Sequence, residues 1–313
     1  MVSAADRTEN PERPERPARS GRAGAPAEGA EGAGAAGPAR GRRSGSGAGA
    51  RGAQDTQSAE SGVRSVRTSV WQAGGRPERG RRSAQPASLD RRKIVDTAVR
   101  LLDAEGAAKF SMRRLAAELD VTAMSVYWYV DNKDDLLEYA LDAVYGGIRL
   151  PDVSDPSGWR EQLRTLATEY RSLLVRHPWT SGLVGHFLNI GPNSVSFVLA
   201  VHQAIRNAGL PPEGQIGGMA AIYQFVYGFG TIEGHFVAHC TTAGISQDEY
   251  VARAMGTVNA LPELSEYAEA AAEMMDARGG TTVAEMRDRD FDFALEMILA
   301  GVEAMVARAG RAG

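Results

Sequence analysis

The sequence predicts an all-α protein with a disordered N-terminal tail, a small three-helix domain built around a helix-turn-helix, and a larger helical domain after it. Three observations predict it. From Leu89 onward, apolar residues recur at three- and four-residue spacing, and no stretch reads convincingly as a strand. No fixed-period repeat is evident. Residues 1–88 are dominated by Gly, Ala, Arg, Pro, Glu and Ser; their only apolar residues larger than Ala are Met1, Val2, Val63, Val66, Val70 and Trp71. Such a segment buries too little surface to offset its chain entropy, so disorder is expected there.

Charge divides the chain in the same way. Residues 1–88 hold 15 Arg, no Lys and 9 acidic residues, a surplus of six positive charges, so the whole chain's −4 leaves −10 on the remainder. The tail arginines, Arg81 and Arg82 above all, could reach DNA phosphates or an adjacent minor groove; the alternative is a solvated tail. Residues 89–133 carry 8 basic and 7 acidic residues, which implies few phosphate contacts. Cys240 is the only cysteine, so neither an intramolecular disulfide nor a cysteine-rich zinc site is available. No apolar run reaches the roughly 18–20 residues of a membrane span. The N-terminus has no signal-like apolar core, so the expected location is the cytoplasm.

The helices follow in order. Leu89–Glu105 places Ile94, Ala98, Leu101 and Leu102 on one face and ends at Gly106. Ser111 is the expected N-cap of Ser111–Leu119, with Met112, Leu115 and Ala116 inward. Asp120–Ala123 is the turn, and Met124–Val130 a second short helix. Three successive aromatics there, Tyr127, Trp128 and Tyr129, point about 100° apart, so at least one must face outward and form a contact surface. A helix pair of this length fits helix-turn-helix geometry. Asn132–Ile148 is a fourth helix, and Gly146, Gly147 and Pro151 mark the domain boundary, giving domains of 89–146 and 147–313. In the second domain, helices are expected from Ser157 to His177, Pro192 to Ala208, Pro212 to Thr241, Leu264 to Arg278 and Asp288 to Arg308. Pro212–Thr241 is apolar on all sides, and its glycines mark close approach of another helix or a ligand. Phe291, Leu295, Ile298, Val302 and Met305 form a coiled-coil-like seam.

The stretch VYWYVDNKDDLLEYAL at Val126–Leu141 resembles the DNA-binding domain of the tetracycline-repressor (TetR) family, and the likeness spans about Asp90–Leu141. FDFALEMILAGVEAMV at Phe291–Val306 is similar to the last helix of the subgroup with tetracycline-repressor-type C-terminal domains. The resemblance implies a homodimeric regulator binding double-stranded operator DNA. Arg113 can span a guanine edge. Thr122, Ala123, Met124 and Ser125 open the recognition helix, where Ala123 and Met124 can offer only apolar contact, for instance to thymine methyls. By resemblance, Tyr127 and Lys133 touch phosphates, and Trp128 and Tyr129 are contact or packing residues; Tyr129 stands where the tetracycline repressors have His. The resemblance further implies a dimer through helices 212–241 and 288–308 and an effector site in the body.

For the effector, a small apolar or aromatic molecule, the candidates are Trp179, His186, Phe187, Asn189, His202, Tyr223, Tyr227, His235 and His239. Core packing is the competing reading for each. His235 and His239 are i, i+4, but HFVAH lacks the general-base Glu of HExxH, so no metal and no cofactor are expected. No nucleophile elbow, phosphate loop or Cys–His pattern occurs. Two other readings stand beside this one: a non-specific nucleic-acid binder working through its tail, and an enzyme pairing His186 or His235 with Glu233.

Overall fold

The structure is a computed structural model and describes residues 69–73 and 89–312. Among the described residues, ten α-helices and four short 3-10 turns are present and no strand forms. The head comprises α1 (Arg91–Glu105), α2 (Met112–Glu118) and α3 (Ala123–Tyr127). Each begins at a side-chain cap that the sequence supplies: Asp90, Ser111 and Thr122 accept from the backbone N–H of Lys93, Arg114 and Ser125. Asp90 thus stands just outside α1 as its cap. α2 ends where Asp120 takes a left-handed conformation (φ 54°), which lets Val121 N–H reach back to Ala116 O at 3.0 Å. Ile94, Ala98, Leu102, Leu115 and Val126 close the small core between the three helices.

α4 (Lys133–Tyr145), capped by Asn132, runs from head to body. The body contains α5 (Trp159–Arg176), α6 (Pro192–Asn207), α7 (Pro212–Ala243), α8 (Gln247–Asn259), α9 (Ser265–Arg278) and α10 (Val283–Ala312). α5 and α7 pack most closely. A Cβ at Gly234 would stand 2.6 Å from the Leu174 carbonyl oxygen, and one at Gly230 would stand 2.9 Å from Leu174 Cδ1. These two glycines do what was expected of the α7 glycines; Gly217 and Gly228 face open space.

Three expectations change. α8 falls in a stretch for which only a helix at 264–278 was expected. Ser246 caps it, and Glu249 follows at the third helical position. Most of the α10 seam points inward: Phe291, Leu295 and Val302 are buried with Leu299 in the body core and Ile298 is half-buried, while Met305 at the seam's end is exposed. A different stripe of α10 is exposed, with Phe293 at 71% and Met297 at 62%. Third, Ser69–Ala73 departs from the expectation for the tail. Val70–Ala73 forms a 3-10 turn, and Val70 lies in the core against α4, because a β-branched and an indole side chain give this short piece the apolar surface its surroundings lack. The rest of the tail, with Arg81 and Arg82, lies outside the described residues.

Gly234→Val should lower stability by about 1–3 kcal/mol through overpacking against the α5 backbone. Gly256→Ala, in open space on α8, should raise it by up to ~1 kcal/mol. Urea titrations of both variants check the contrast.

Candidate DNA-reading head and effector cleft

α3 is only five residues long, and its two faces separate cleanly. Val126 is fully buried. Met124, Tyr127 and Trp128, at i, i+3 and i+4, form one outward stripe and are 68%, 41% and 37% exposed. Thr122 and Ser125 join at the helix start, their hydroxyl oxygens 2.9 Å apart. Ala123 packs in part against the core. Tyr129 turns the other way, and its hydroxyl donates to the Leu89 carbonyl at 2.6 Å. Lys133 Nζ donates to the Phe110 carbonyl at 2.9 Å and lies over the Phe110 ring. Both residues therefore hold the head together at its junction with α4.

On α2, two neighbouring arginines divide their labour. Arg114 is clamped by Glu105 and Glu118, both at 2.9 Å, and these hydrogen bonds raise its pKa. Arg113 is exposed and forms no ion pair with a described residue. Arg113 and the Met124–Tyr127–Trp128 stripe thus give the helix-turn-helix an outward charged group and an outward apolar, aromatic ridge.

The body is tied to the head at two places. The Asp103 carboxylate on α1 accepts from the buried Trp179 indole Nε1 at 2.7 Å and stands 2.7 Å from His177 Nδ1. The buried Asp142 carboxylate on α4 accepts from Ser194 N–H at 2.9 Å and from Ser194 Oγ at 3.0 Å. It thereby caps the N-terminus of α6, where a negative charge is favoured.

Behind α6 lies an aromatic stack. Tyr170 packs on Tyr223 (ring centroids 5.1 Å), Phe197 (5.4 Å) and Tyr145 (6.2 Å), and Tyr223 stacks on Tyr227 (6.3 Å). The Tyr170 hydroxyl donates to the Tyr223 hydroxyl at 2.9 Å, and the Tyr227 hydroxyl to the Ser181 carbonyl at 2.8 Å. Asn189, at φ 44°, accepts from Ser194 Oγ at 2.7 Å. A narrow apolar cleft of about 20 Å³ opens beside these rings, lined by Tyr170, Phe197, Val201, Ile222 and Tyr223 among others. That is about the space of one water. Burial pushes the Tyr145 and Tyr170 phenols well above the ordinary tyrosine pKa, with Tyr223 adding to both shifts.

The expected effector residues are thus split. Tyr223 and Tyr227 belong to the stack. Trp179 is a head–body contact. His186 and Phe187 line a separate cavity of about 220 Å³ with Asn132, Asp134, Asp135 and Glu138 of the α4 region. His202 is exposed on α6, and His235 and His239 are exposed on α7, His235 Nε2 lying 3.2 Å from Ser181 Oγ. Glu233 binds Arg171 through two hydrogen bonds of 2.6 and 2.8 Å, and Phe229 and Phe291 flank that guanidinium. It is therefore engaged away from His186, and no group of three metal-ligating side chains occurs among the described residues. Sequence reasoning missed Tyr145, Tyr170 and Phe197. Helical spacing places Tyr170 on an inward face and singles out neither Tyr145 nor Phe197.

A head of this kind on an α4-linked helical body defines a helix-turn-helix DNA-binding transcription regulator. Comparison with known proteins fixes the family. Residues 94–140 match the model described as bacterial regulatory proteins, tetR family, and residues 150–306 match the tetracyclin repressor-like C-terminal domain. A relative from Saccharopolyspora erythraea, named an HTH-type transcriptional regulator, is 40% identical over 153 residues, which are 49% of this chain and 64% of that protein. The HTH-type transcriptional repressor DrrR1 of Streptomyces coeruleorubidus is 31% identical over 242 residues, 76% of this chain and 85% of that protein. Among solved structures, apo ActR from Streptomyces coelicolor superposes with a TM-score of 0.55 at 26% identity, covering 72% of this chain and 99% of ActR. ActR in complex with actinorhodin gives 0.53 at 26% identity, covering 70% and 99%. The chain belongs to the TetR family. No helix among the described residues is long and apolar enough to cross a membrane.

The tyrosine burial has a pH signature. Below about pH 10 folded and unfolded chains both keep these phenolic protons; above it only the unfolded chain releases them. Stability should therefore fall as pH rises above about 10, by about 1.4 kcal/mol per pH unit for each such tyrosine. Unfolding titrations between pH 8 and 11 should show this slope, and Tyr170→Phe should reduce it.

Proposed function

We propose that this protein is a homodimeric repressor that binds a pseudo-palindromic operator and is released by a small apolar or aromatic effector, acting at the nucleoid in the bacterial cytoplasm and without catalytic activity. The observation that carries the reading is the outward Met124–Tyr127–Trp128 stripe beside an exposed Arg113, on a head rigidly capped into α4. Arg113 reads a guanine edge, and Thr122, Ala123, Met124 and Ser125 face bases at the start of the recognition helix. Tyr127 and Trp128 face the backbone, and Lys133 braces the corner behind them through Phe110. Tyr129 positions the helix from behind.

One head reads too few base pairs to be specific, so two must act together, with recognition helices about 34–36 Å apart. The exposed Phe293, Met297 and Met305 on α10 and Ile216 and Ile232 on α7 supply an apolar surface for the second copy. Release is a population shift. An effector that favours a widened aromatic cleft moves α6, and Asp142 passes that displacement to α4 and the head. A preference of a few kcal/mol for the displaced state suffices. The named repressor DrrR1 supports the direction of regulation. ActR, solved with actinorhodin, supports a small-molecule effector for this body.

Selection of bound duplexes from a random DNA pool by the full chain should give a palindromic consensus. Arg113→Ala should weaken binding to it by about 1–3 kcal/mol and relax preference at one guanine. A pool without enrichment at moderate salt rejects the operator. Phe293→Asp with Met297→Asp should convert dimer to monomer in sedimentation analysis and abolish binding to the full palindrome. A variant that still sediments as a dimer places the interface elsewhere.

A further inference from the structure

The tail stretch Ser69–Ala73 is chemically unlike its surroundings. Trp71 is the only aromatic residue in positions 1–88, and Val70 precedes it directly. Both are applied to α4. Val70 is 4% exposed and sits in the core. The Trp71 ring meets Tyr139 edge-on at 5.1 Å, while the Arg91 guanidinium lies 5.2 Å from the same tyrosine ring. The polar contacts are equally specific. Glu138 on α4 is buried, and its carboxylate accepts from Val70 N–H at 2.7 Å and from the Ser69 hydroxyl. Trp71 N–H then donates to Ser69 Oγ at 3.1 Å, closing a tight turn over the carboxylate. A buried carboxylate needs such donors, because its desolvation is otherwise uncompensated. The tail provides both. Ser69 and Val70 also line the cavity of about 220 Å³ that separates α4 from His186 and Phe187 of the body.

We propose that Ser69–Ala73 is an intrachain strap: the groove formed by α4 and the His186–Phe187 loop is a binding site for this segment of the chain's own tail, and occupancy of the site restrains the displacement of α4 that alters operator affinity. The second half of this statement rests on the regulator reading above; the first half stands without it. The strap binds α4 on the turn carrying Glu138 and Tyr139, one turn before the Asp142 contact with α6. α4 is therefore held from the tail side and from the body side at once. Any swing that moves α4 away from the His186–Phe187 loop must carry the strap with it or leave it behind.

The test uses the full chain and two variants that approach the contact from opposite sides. Val70→Asp with Trp71→Ala puts charge and lost area at the strap. Glu138→Gln keeps the shape of the receptor and removes its charge. Amide hydrogen exchange of Lys133–Tyr145 reads docking directly, and titration of the selected operator reads its consequence. Exchange in α4 at least tenfold faster in both variants, with operator affinity shifted at least fivefold, supports the strap. Unchanged exchange in both variants overturns it. Faster exchange with operator affinity within twofold of the parent overturns the restraint on α4. If the double variant loses helix content by circular dichroism, Glu138→Gln alone decides. If the parent chain selects no operator, the regulator reading falls, and the exchange measurement still accepts or rejects the docking.

Discussion

The buried carboxylate of Asp142 is the contact on which the arrangement of head and body depends. It sits on α4, the helix that continues from the DNA-reading head, and it closes the N-terminus of α6, the helix that walls the aromatic stack. Nothing larger than hydrogen fits at Gly191, because an added Cβ would overlap the Asp142 carboxylate. α4 carries two more buried acids, Asp135 and Glu138. An amphipathic helix ordinarily presents such residues to water. Here they are turned inward and paired, which makes the position of α4 a matter of directional hydrogen bonds as well as apolar packing. Directional hydrogen bonds break and re-form more sharply than a hydrophobic contact slides, which is the property a two-state element needs.

The head was legible in the sequence because its signals are local. Ser111, Thr122 and Asn132 cap the helices they precede, and the three aromatics of α3 cannot share one face. Where sequence reasoning stopped short, the deciding contacts come from far along the chain. The α10 seam has the spacing of a coiled coil, but whether it meets another subunit or α7 of its own depends on which side α7 packs, and spacing does not encode that. Glu233 looked available for chemistry; its partner Arg171 lies 62 residues earlier and is flanked by Phe229 and Phe291. Tyr170 reads as an ordinary inward-facing residue and Tyr145 carries no signal of its own, and only the fold brings them into one stack. The strap escaped notice because composition is an average over a window, and Val70 and Trp71 are two residues in a stretch of 88. α8 was missed in spite of a local signal, since Ser246 and Glu249 have capping-box spacing.

Packing and polar contacts play different parts in the body. The close α5–α7 contact, made possible by Gly230 and Gly234, gives a stiff spine. Arg171 fixes that spine to α10 through Glu233 and Asp288. α6 is more weakly committed. One side leans on the aromatic rings, and the other exposes Val195, Val198 and Leu199 to solvent. Asp142 closes its N-terminus, and Asn207 at its far end donates to the Val153 carbonyl and to Gln162 Oε1, both at 2.9 Å, so a shift of α6 while the spine stays in place pivots on these two ends.

The narrowness of the aromatic cleft also bears on time. A space of about 20 Å³ cannot admit an organic molecule as it stands. Rings must part first, and that opening is an event of the protein alone. For an effector seated there, as proposed above, the rate of entry would level off at high concentration, at the frequency with which Tyr170, Phe197 and Tyr223 separate. Excess inducer fills the site more completely without filling it faster. A cell using such a regulator would meet a sudden rise in its small molecule with a delay set by this sequence, whatever the size of the rise.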